Sequence, residues 1–177
     1  MDHTFSSFQA GTGLNCLNGC GKCCTNPEIE ASPLEMIPLA LSIFKEGNLE
    51  IWLEKLETNQ KESCLLYEAT TPDGSKGRCG AYWGRPSVCR MFGVAGYFDK
   101  NHKVTLSVCR LIKEAQPELT QKMRENVSLE ETPIIANWSQ QLASLDPRII
   151  QEKRPINESF YLALQRVALY AQYQEGT

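Results

Sequence analysis

The chain has 177 residues, of which 42% are hydrophobic and 22% charged, so one globular domain spanning 1–177 can bury a core of its own. Its net charge of −3 argues against broad binding to nucleic acids or to anionic membranes. The N-terminal sequence lacks the basic and apolar segments of a secretory signal, and no apolar run is long enough to span a bilayer. We therefore expect a cytoplasmic protein with no nucleic-acid or membrane partner.

Two helices are predicted in the first third of the chain, after an irregular lead-in over residues 1–15 that shows no hydrophobic periodicity. Ser32 begins the first helix, because Pro33 and Glu35 follow at the positions typical of a capping box. Gly47 is suited to end it. The buried stripe of this helix is predicted to be Leu34, Ile37, Leu41 and Phe44. For the second helix, which begins at Asn48, the predicted face is Ile51, Trp52, Lys55 and Leu56.

The middle of the chain, from Cys64 to Cys109, contains too many glycines and prolines for long helices. Its clearest regular pattern is VAGYFDKNHKVTLSV, in which apolar residues alternate on either side of the turn sequence DKNH. This pattern predicts a β-hairpin over residues 94–108.

The C-terminal part, residues 110–177, is predicted to be helical. One helix begins at Thr132-Pro133, and another begins at Asn157 or Ser159. Their predicted buried residues are Ile134, Ile135, Trp138 and Leu142 in the first and Phe160, Leu164, Val167 and Ala171 in the second. The expected fold is mainly α with a small antiparallel β element (α+β), an irregular Cys-rich centre organised by metal and flanked by helices.

Eight cysteines are the strongest chemical signal in the sequence, and four of them fall within the segment CLNGCGKCC. Ligands separated by two to four residues can be aimed at one metal ion by a tight turn, and Gly19 and Gly21 permit the left-handed backbone that such a turn needs. Thiols stay reduced in the cytosol, which favours metal binding over disulfides. The candidate ligands, in the predicted metal-binding region 16–109, are Cys16, Cys20, Cys23, Cys24, Cys64, Cys79, Cys89 and Cys109.

The adjacent pair Cys23 and Cys24 bears on how many metals are bound. Neighbouring side chains diverge in strands and in helices, so the pair suits two metals better than one. We therefore expect a binuclear centre or two nearby sites; the alternatives are one [4Fe–4S] cluster on four cysteines, or a free reactive thiol in the pair. Cys109 is the least certain ligand, because its neighbours in LSVCRLI are apolar and it could be a core residue. Cysteine-only sites suit both zinc and iron–sulfur clusters, so the cofactor stays open between these two.

Basic residues adjoin several of the cysteines. Four cysteines each have a basic residue as a direct sequence neighbour: Lys22, Arg78, Arg90 and Arg110. A four-thiolate zinc site carries a charge of about −2, which nearby cations offset while lowering the thiol pKa values. With 18 lysines and arginines in the chain, placement by chance is the alternative explanation.

The segments CGKCC, SCLLY and GRCGAYWGRPSVCRMFG together resemble the YkgJ-type cysteine-cluster family, small proteins with a CxxCxxCC signature that are described as zinc- or iron-chelating. The similarity covers residues 16–93. It departs from the family pattern at Cys16, which is separated from Cys20 by three residues instead of two. The residues that match the pattern are Cys20, Cys23, Cys24, Cys64, Cys79, Tyr82, Arg85, Pro86, Cys89 and Arg90.

Within the matched motif, residue chemistry suggests roles beside the ligands. Pro86 fixes the backbone before Cys89, and Tyr82 packs over the site with its hydroxyl outward. Arg90 is expected to donate to a thiolate or to a small anion. The residues expected to surround the ligands are Lys22, Arg78, Tyr82, Arg85 and Arg90.

Three functions fit this pattern. The first is a metalloprotein whose thiolates hold zinc or an iron–sulfur cluster, as the resemblance implies. The second is a protein-modifying enzyme, because flagellin lysine N-methylases carry a similar cysteine cluster. The third is a non-enzymatic module that delivers metal or binds a partner. The latter two predict a protein partner or a protein substrate. No Ser-His-Asp set, phosphate loop or HExxH motif occurs, so the sequence does not decide whether the protein is an enzyme.

Overall fold

The structure is a computed structural model, and it describes residues 1–175. Within that range the chain forms nine α-helices, six short strands and two 3₁₀ turns, Lys22–Thr25 and Tyr82–Gly84. The elements follow one another as α1 (Asp2–Thr12), β1 (Glu30–Ala31), α2 (Pro33–Lys45), α3 (Leu49–Glu57), β2 (Tyr67–Ala69), β3 (Gly77–Cys79), α4 (Ser87–Met91), β4 (Val94–Phe98), β5 (Val104–Val108), α5 (Arg110–Ala115), α6 (Pro117–Glu125), α7 (Ile135–Leu145), α8 (Arg148–Gln151), β6 (Arg154–Pro155) and α9 (Ile156–Glu175).

The strands pair into three separate two-stranded antiparallel sheets: β1 with β6, β2 with β3, and β4 with β5. The predicted class, mainly α with a small antiparallel β element, is confirmed. The last two residues of the predicted helical part, 176–177, lie outside the described residues. No helix within 1–175 combines the length and the apolar character needed to cross a bilayer.

The larger hydrophobic core lies where α9 packs along α2 and α3. The predicted face of α9 is confirmed at Phe160, Leu164 and Val167, which are all buried. The Trp52 ring of α3 lies 5.4 Å from the Phe160 ring in a tilted arrangement that favours aromatic packing. The buried residues that α2 contributes are Met36, Leu39, Ala40 and Ile43.

The start of α2 is as predicted, but its buried face is not. The Ser32 side chain accepts a hydrogen bond from the Leu34 N–H (3.2 Å), and the Ser32 N–H donates to the Glu35 carboxylate (3.3 Å), which completes the capping box. The predicted stripe is wrong at Leu41 and Phe44, which are exposed. The buried stripe is the neighbouring one, because α2 has apolar residues on most sides and α9 covers only one of them.

Residues 1–15 are helical where the sequence predicted an irregular lead-in. Helix α1 buries Phe5, whose ring centroid lies 6.2 Å from that of Trp138 in α7. Gly13 ends the helix with φ at +73°, and its N–H donates to the Gln9 carbonyl at 2.9 Å. Few apolar residues mark this helix, and it is stabilised by tertiary packing more than by its own periodicity.

The smaller core lies beneath the hairpin. The predicted hairpin over residues 94–108 is confirmed, with β4 and β5 in antiparallel register and the turn between Phe98 and Val104. Leu14, Leu106 and Ile112 are buried there together with Val94. This cluster is distinct from the larger core.

Two other predicted helices differ in detail. In α3, the expected core residue Ile51 is exposed, whereas Trp52 and Leu56 are half-buried as predicted. Helix α7 begins at Ile135, two residues after the predicted start at Thr132-Pro133, and helix α9 begins at Ile156, next to the predicted Asn157.

Candidate metal centre

All eight cysteines line one cavity of about 420 Å³. They reach it from separate parts of the chain. These are the turn-rich segment 16–24 (called the knot here, although its cysteines are free thiols), the loop before β2, the end of β3, helix α4 and the residue before α5. All eight are free thiols. Among the described residues that line the cavity there is no carboxylate and no imidazole.

The knot is held against the β2–β3 hairpin by two glycines. The predicted left-handed conformations are confirmed, because Gly19 and Gly21 have φ of +66° and +56°. A Cβ on Gly21 would lie 2.5 Å from the Tyr67 ring and 3.0 Å from the Gly77 carbonyl oxygen, so only glycine fits there. The Gly77 N–H donates to the Gly19 carbonyl at 2.9 Å, which places the knot beside the cysteine that ends β3.

Cys64 enters the cavity through a loop fixed at both ends. Its N–H donates to the Cys24 carbonyl at 2.9 Å, which ties it to the knot. The Asn157 side chain accepts from the Leu65 N–H (2.9 Å) and donates to the Ser63 carbonyl (3.0 Å). The first turn of α9 therefore positions Cys64, which is buried.

Cys89 lies on the short helix α4, whose start is fixed by Pro86 and by α2. The Cys89 N–H donates to the Pro86 carbonyl at 3.1 Å, in line with the predicted role of Pro86. The Ser87 N–H donates to the Glu35 carboxylate at 2.8 Å. The carboxylate of the α2 capping box thus also anchors α4, a role that the capping motif alone did not indicate.

Cys16 and Cys109 meet at Gly93, a residue that the sequence analysis did not single out. Gly93 has φ of +104°, and a Cβ there would lie 3.2 Å from the Cys16 sulfur. The Cys109 N–H donates to the Gly93 carbonyl at 2.7 Å. A hydrogen bond of 3.5 Å from the Gln9 amide to the Phe92 carbonyl links this segment to α1.

Burial raises the pKa of several of these thiols. It raises the pKa of Cys64 to about 11 and the pKa of Cys89 to about 12, and it also raises the pKa of Cys16 and Cys79. These thiols are therefore protonated at neutral pH when no metal is bound. A metal that binds them must displace their protons.

The adjacent thiols differ from the rest. The Cys24 thiol donates a hydrogen bond to the Cys23 sulfur, which lowers the pKa of Cys23 to about 6 and raises the pKa of Cys24. The divergence expected for neighbouring side chains is wrong for this pair, because the tight turn Lys22–Thr25 directs both sulfur atoms into the same cavity. Sterics alone do not forbid one ion from binding both.

Arg85 brings a positive charge into the cavity. Its guanidinium donates to the Tyr82 carbonyl (3.1 Å) and to the Cys89 carbonyl (3.4 Å), and it lies 3.5 Å from the centroid of the Tyr82 ring. Against the larger effect of burial, Arg85 lowers the pKa of Cys16, Cys79 and Cys89. It is therefore placed to offset negative charge on several sulfur atoms at once.

The other expected neighbours of the ligands take different positions. Lys22 and Arg78 are exposed at the cavity rim, and Arg78 also pairs with Glu68 at 3.2 Å. Tyr82 lines the cavity and is 63% exposed. Arg90 is not one of the lining residues; its guanidinium donates to the backbone carbonyls of Arg85 and Trp83, so it supports the loop that carries Arg85.

The donor set suits zinc or iron, because four-thiolate coordination is typical of structural zinc and of iron–sulfur clusters. As the side chains stand, no three cysteine, histidine or carboxylate groups within residues 1–175 converge closely enough to chelate one ion. Binding of one ion by three or more of these thiols would therefore require their side chains to turn toward a common point. Their common position around one cavity makes such a movement local.

Comparison with known proteins gives the same chemistry. A family model, described as "CxxCxxCC: Putative zinc- or iron-chelating domain", matches residues 15–110, more than half of the chain. The match includes all eight cysteines. Neither a curated protein nor a solved structure matches the chain. The lining of the cavity and the matched family model lead to one conclusion: the chain belongs to the CxxCxxCC family, whose domains are described as zinc- or iron-chelating.

Proposed function

We propose that this protein binds zinc or iron through the thiolates of its cysteine cavity. The observation that carries the proposal is the convergence of all eight cysteines on one cavity that has no other ligand type among its described lining residues. Core packing alone does not explain why the cysteines share one cavity, because some of them are buried and others are exposed. The description of the matched family supports the same chemistry.

The residues of the cavity supply what a thiolate site needs. The sulfur atoms provide the ligands, and each one that binds metal gives up its proton. Arg85 offsets part of the negative charge that then accumulates, since its guanidinium is held over Tyr82 inside the cavity. The glycine contacts at Gly21 and Gly93 let the backbone approach closely enough to bring distant cysteines together.

The test is the metal content of protein purified without oxygen from cells grown with both metals. We expect bound zinc, or iron with acid-labile sulfide and a brown colour, at no less than one metal unit per chain. Bound metal should also protect cysteines from a thiol reagent in the native state. A colourless protein without zinc or iron, and with eight freely titratable thiols, would contradict the proposal.

A further inference from the structure

We propose that the eight cysteines form two metal sites of four thiolates each, which meet at the peptide bond between Cys23 and Cys24. The inference rests on the proposed function and adds how the ligands are divided. The inner site consists of Cys24, Cys64, Cys79 and Cys89. The outer site consists of Cys16, Cys20, Cys23 and Cys109.

The two hydrophobic cores provide the first reason for this division. Cys64 is part of the larger core, and Cys24, Cys79 and Cys89 pack against that same core. Cys109 packs against the smaller core instead. The four inner cysteines therefore all contact the larger core, whereas Cys109 contacts the smaller one.

Backbone contacts provide the second reason. The hydrogen bond from the Cys64 N–H to the Cys24 carbonyl joins two inner members directly. In the outer set, the Cys16 sulfur lies against Gly93, whose carbonyl accepts the Cys109 N–H. Each proposed site thus contains a contact that fixes the end of the knot to a distant cysteine.

The two sites differ in exposure. Cys16 and Cys23 of the outer site are exposed, whereas Cys64 of the inner site is buried. A chelator in solution therefore reaches the outer metal first. The inner metal shares its wall with the core of α2 and α9, so its loss perturbs the fold more.

The decisive experiment counts metal per chain in a matched set of variants. In the wild type we expect two metal units: about two zinc or two mononuclear iron ions, or the iron and sulfide of two clusters. Cys89→Ser and Cys109→Ser should each lose about half of the metal. The within-site double variant Cys64→Ser/Cys89→Ser should lose no more than half, whereas the cross-site variant Cys89→Ser/Cys109→Ser should lose nearly all. Ser107→Ala, an exposed hydroxyl in β5, is the control that should keep the full content.

Each result has a defined meaning. Wild-type protein without metal contradicts the proposed function itself. A single metal unit in the wild type, or loss of all metal from Cys109→Ser, overturns the division while leaving metal binding intact. Complete loss from a within-site variant that is still folded by circular dichroism also overturns it.

A second measurement avoids variants that fail to fold. Chelator added to wild-type protein should release metal in two phases of equal amplitude, and Cys109→Ser should lack the fast phase. One phase that releases all the metal of a wild type holding two units would contradict two sites of unequal exposure.

Discussion

The helical shell, made of α2, α3 and α9, and the cysteine centre, made of residues 16–24 and 64–109, are stabilised in different ways. In the shell, long helices bury regular apolar faces against each other, with Phe160 and Leu164 almost fully enclosed. In the centre, apart from the β4–β5 hairpin and its small core, short elements are joined by single hydrogen bonds between distant residues, such as that from Gly77 to Gly19. The free energy of folding in the shell therefore comes from burial, whereas under the proposed metal binding the centre gains much of its stability from ligation that joins separate segments.

The largest effect expected from this difference follows metal removal. Metal binding to structural thiolate sites contributes about 10–16 kcal/mol, which becomes folding free energy where no preformed site exists. We predict that removing the metal lowers hydrogen-exchange protection at the amides of Cys64, Gly77 and Cys109. Amides of Leu164 and Val167 in α9 should keep most of theirs. Hydrogen exchange on both forms is the measurement, and equal protection of the centre in the two would break the comparison.

The next effect concerns the glycine on which the knot depends. Gly21→Ala forces a methyl group against the Tyr67 ring and the Gly77 carbonyl at a positive φ, so we expect about 2–4 kcal/mol of destabilisation and loss of metal. Gly47→Ala is the matched control, since Gly47 also has a positive φ, of +73°, but nothing within 4 Å of the added methyl. Gly47→Ala should lower the free energy of unfolding by about 1 kcal/mol and leave the metal content unchanged. Metal content and urea unfolding of both variants test this; equal metal loss would argue against the steric role of Gly21.

Gly21 illustrates how much of the site could be predicted from sequence. The crowding of glycines between cysteines predicted a left-handed turn, because only local backbone geometry was needed. The role of Gly93 was not predictable in this way, because it depends on the Cys16 sulfur and the Cys109 N–H arriving from distant parts of the chain. The metal chemistry of thiols predicted that the cysteines would lie close together. Their arrangement around the cavity depends on the fold and was not predictable from the sequence.

The helices show the same limit. The capping box at Ser32 and the buried face of α9 follow from short-range patterns, so both were predicted correctly. The lead-in over residues 1–15 was predicted wrongly because Phe5 is buried by Trp138, a partner that no local pattern reveals. The buried side of α2 was also predicted wrongly, since tertiary packing selects among several apolar sides.

A smaller effect is expected from the charge inside the cavity. Arg85→Gln removes the guanidinium that lies over Tyr82 and acts on several thiols, so we predict metal affinity about 10–100-fold weaker. Arg148→Gln is the control, because Arg148 is exposed, pairs with Asp146 at the surface and lies outside the cavity lining. Competition with a metal-binding dye measures both. Equal affinities in the two variants would show that the Arg85 charge does not contribute.

Alkaline pH should destabilise the metal-free protein to the extent that its centre keeps the Cys64 and Cys89 thiols buried. Burial raises the pKa of Cys64 to about 11 and that of Cys89 to about 12, above the ordinary value of 9.0. Because the unfolded chain loses these protons first, the two thiols contribute fully to the free energy of unfolding below pH 9. That contribution falls as the pH rises toward the pKa values of the folded protein, by about 1.4 kcal/mol per pH unit per thiol. Urea unfolding of metal-free protein from pH 8 to 10.5 tests this. The metal-free Cys64→Ser/Cys89→Ser variant should show a shallower dependence, and an unchanged slope would contradict the assignment.

The smallest effect tests the shell alone. Ser32→Ala removes the side-chain acceptor that caps α2, so we expect about 1 kcal/mol of destabilisation. Metal content should not change, because Ser32 lies outside the cavity lining and the Glu35 carboxylate still accepts from the Ser87 N–H at the start of α4. Glu35→Gln is the informative partner variant: it weakens both contacts of that carboxylate, so it should lower stability and metal affinity together. Urea unfolding and metal titration of the two variants separate the roles. If Ser32→Ala lowered metal affinity as much as Glu35→Gln, the shell and the centre would be coupled through the whole of α2, and not through the single contact between Glu35 and Ser87.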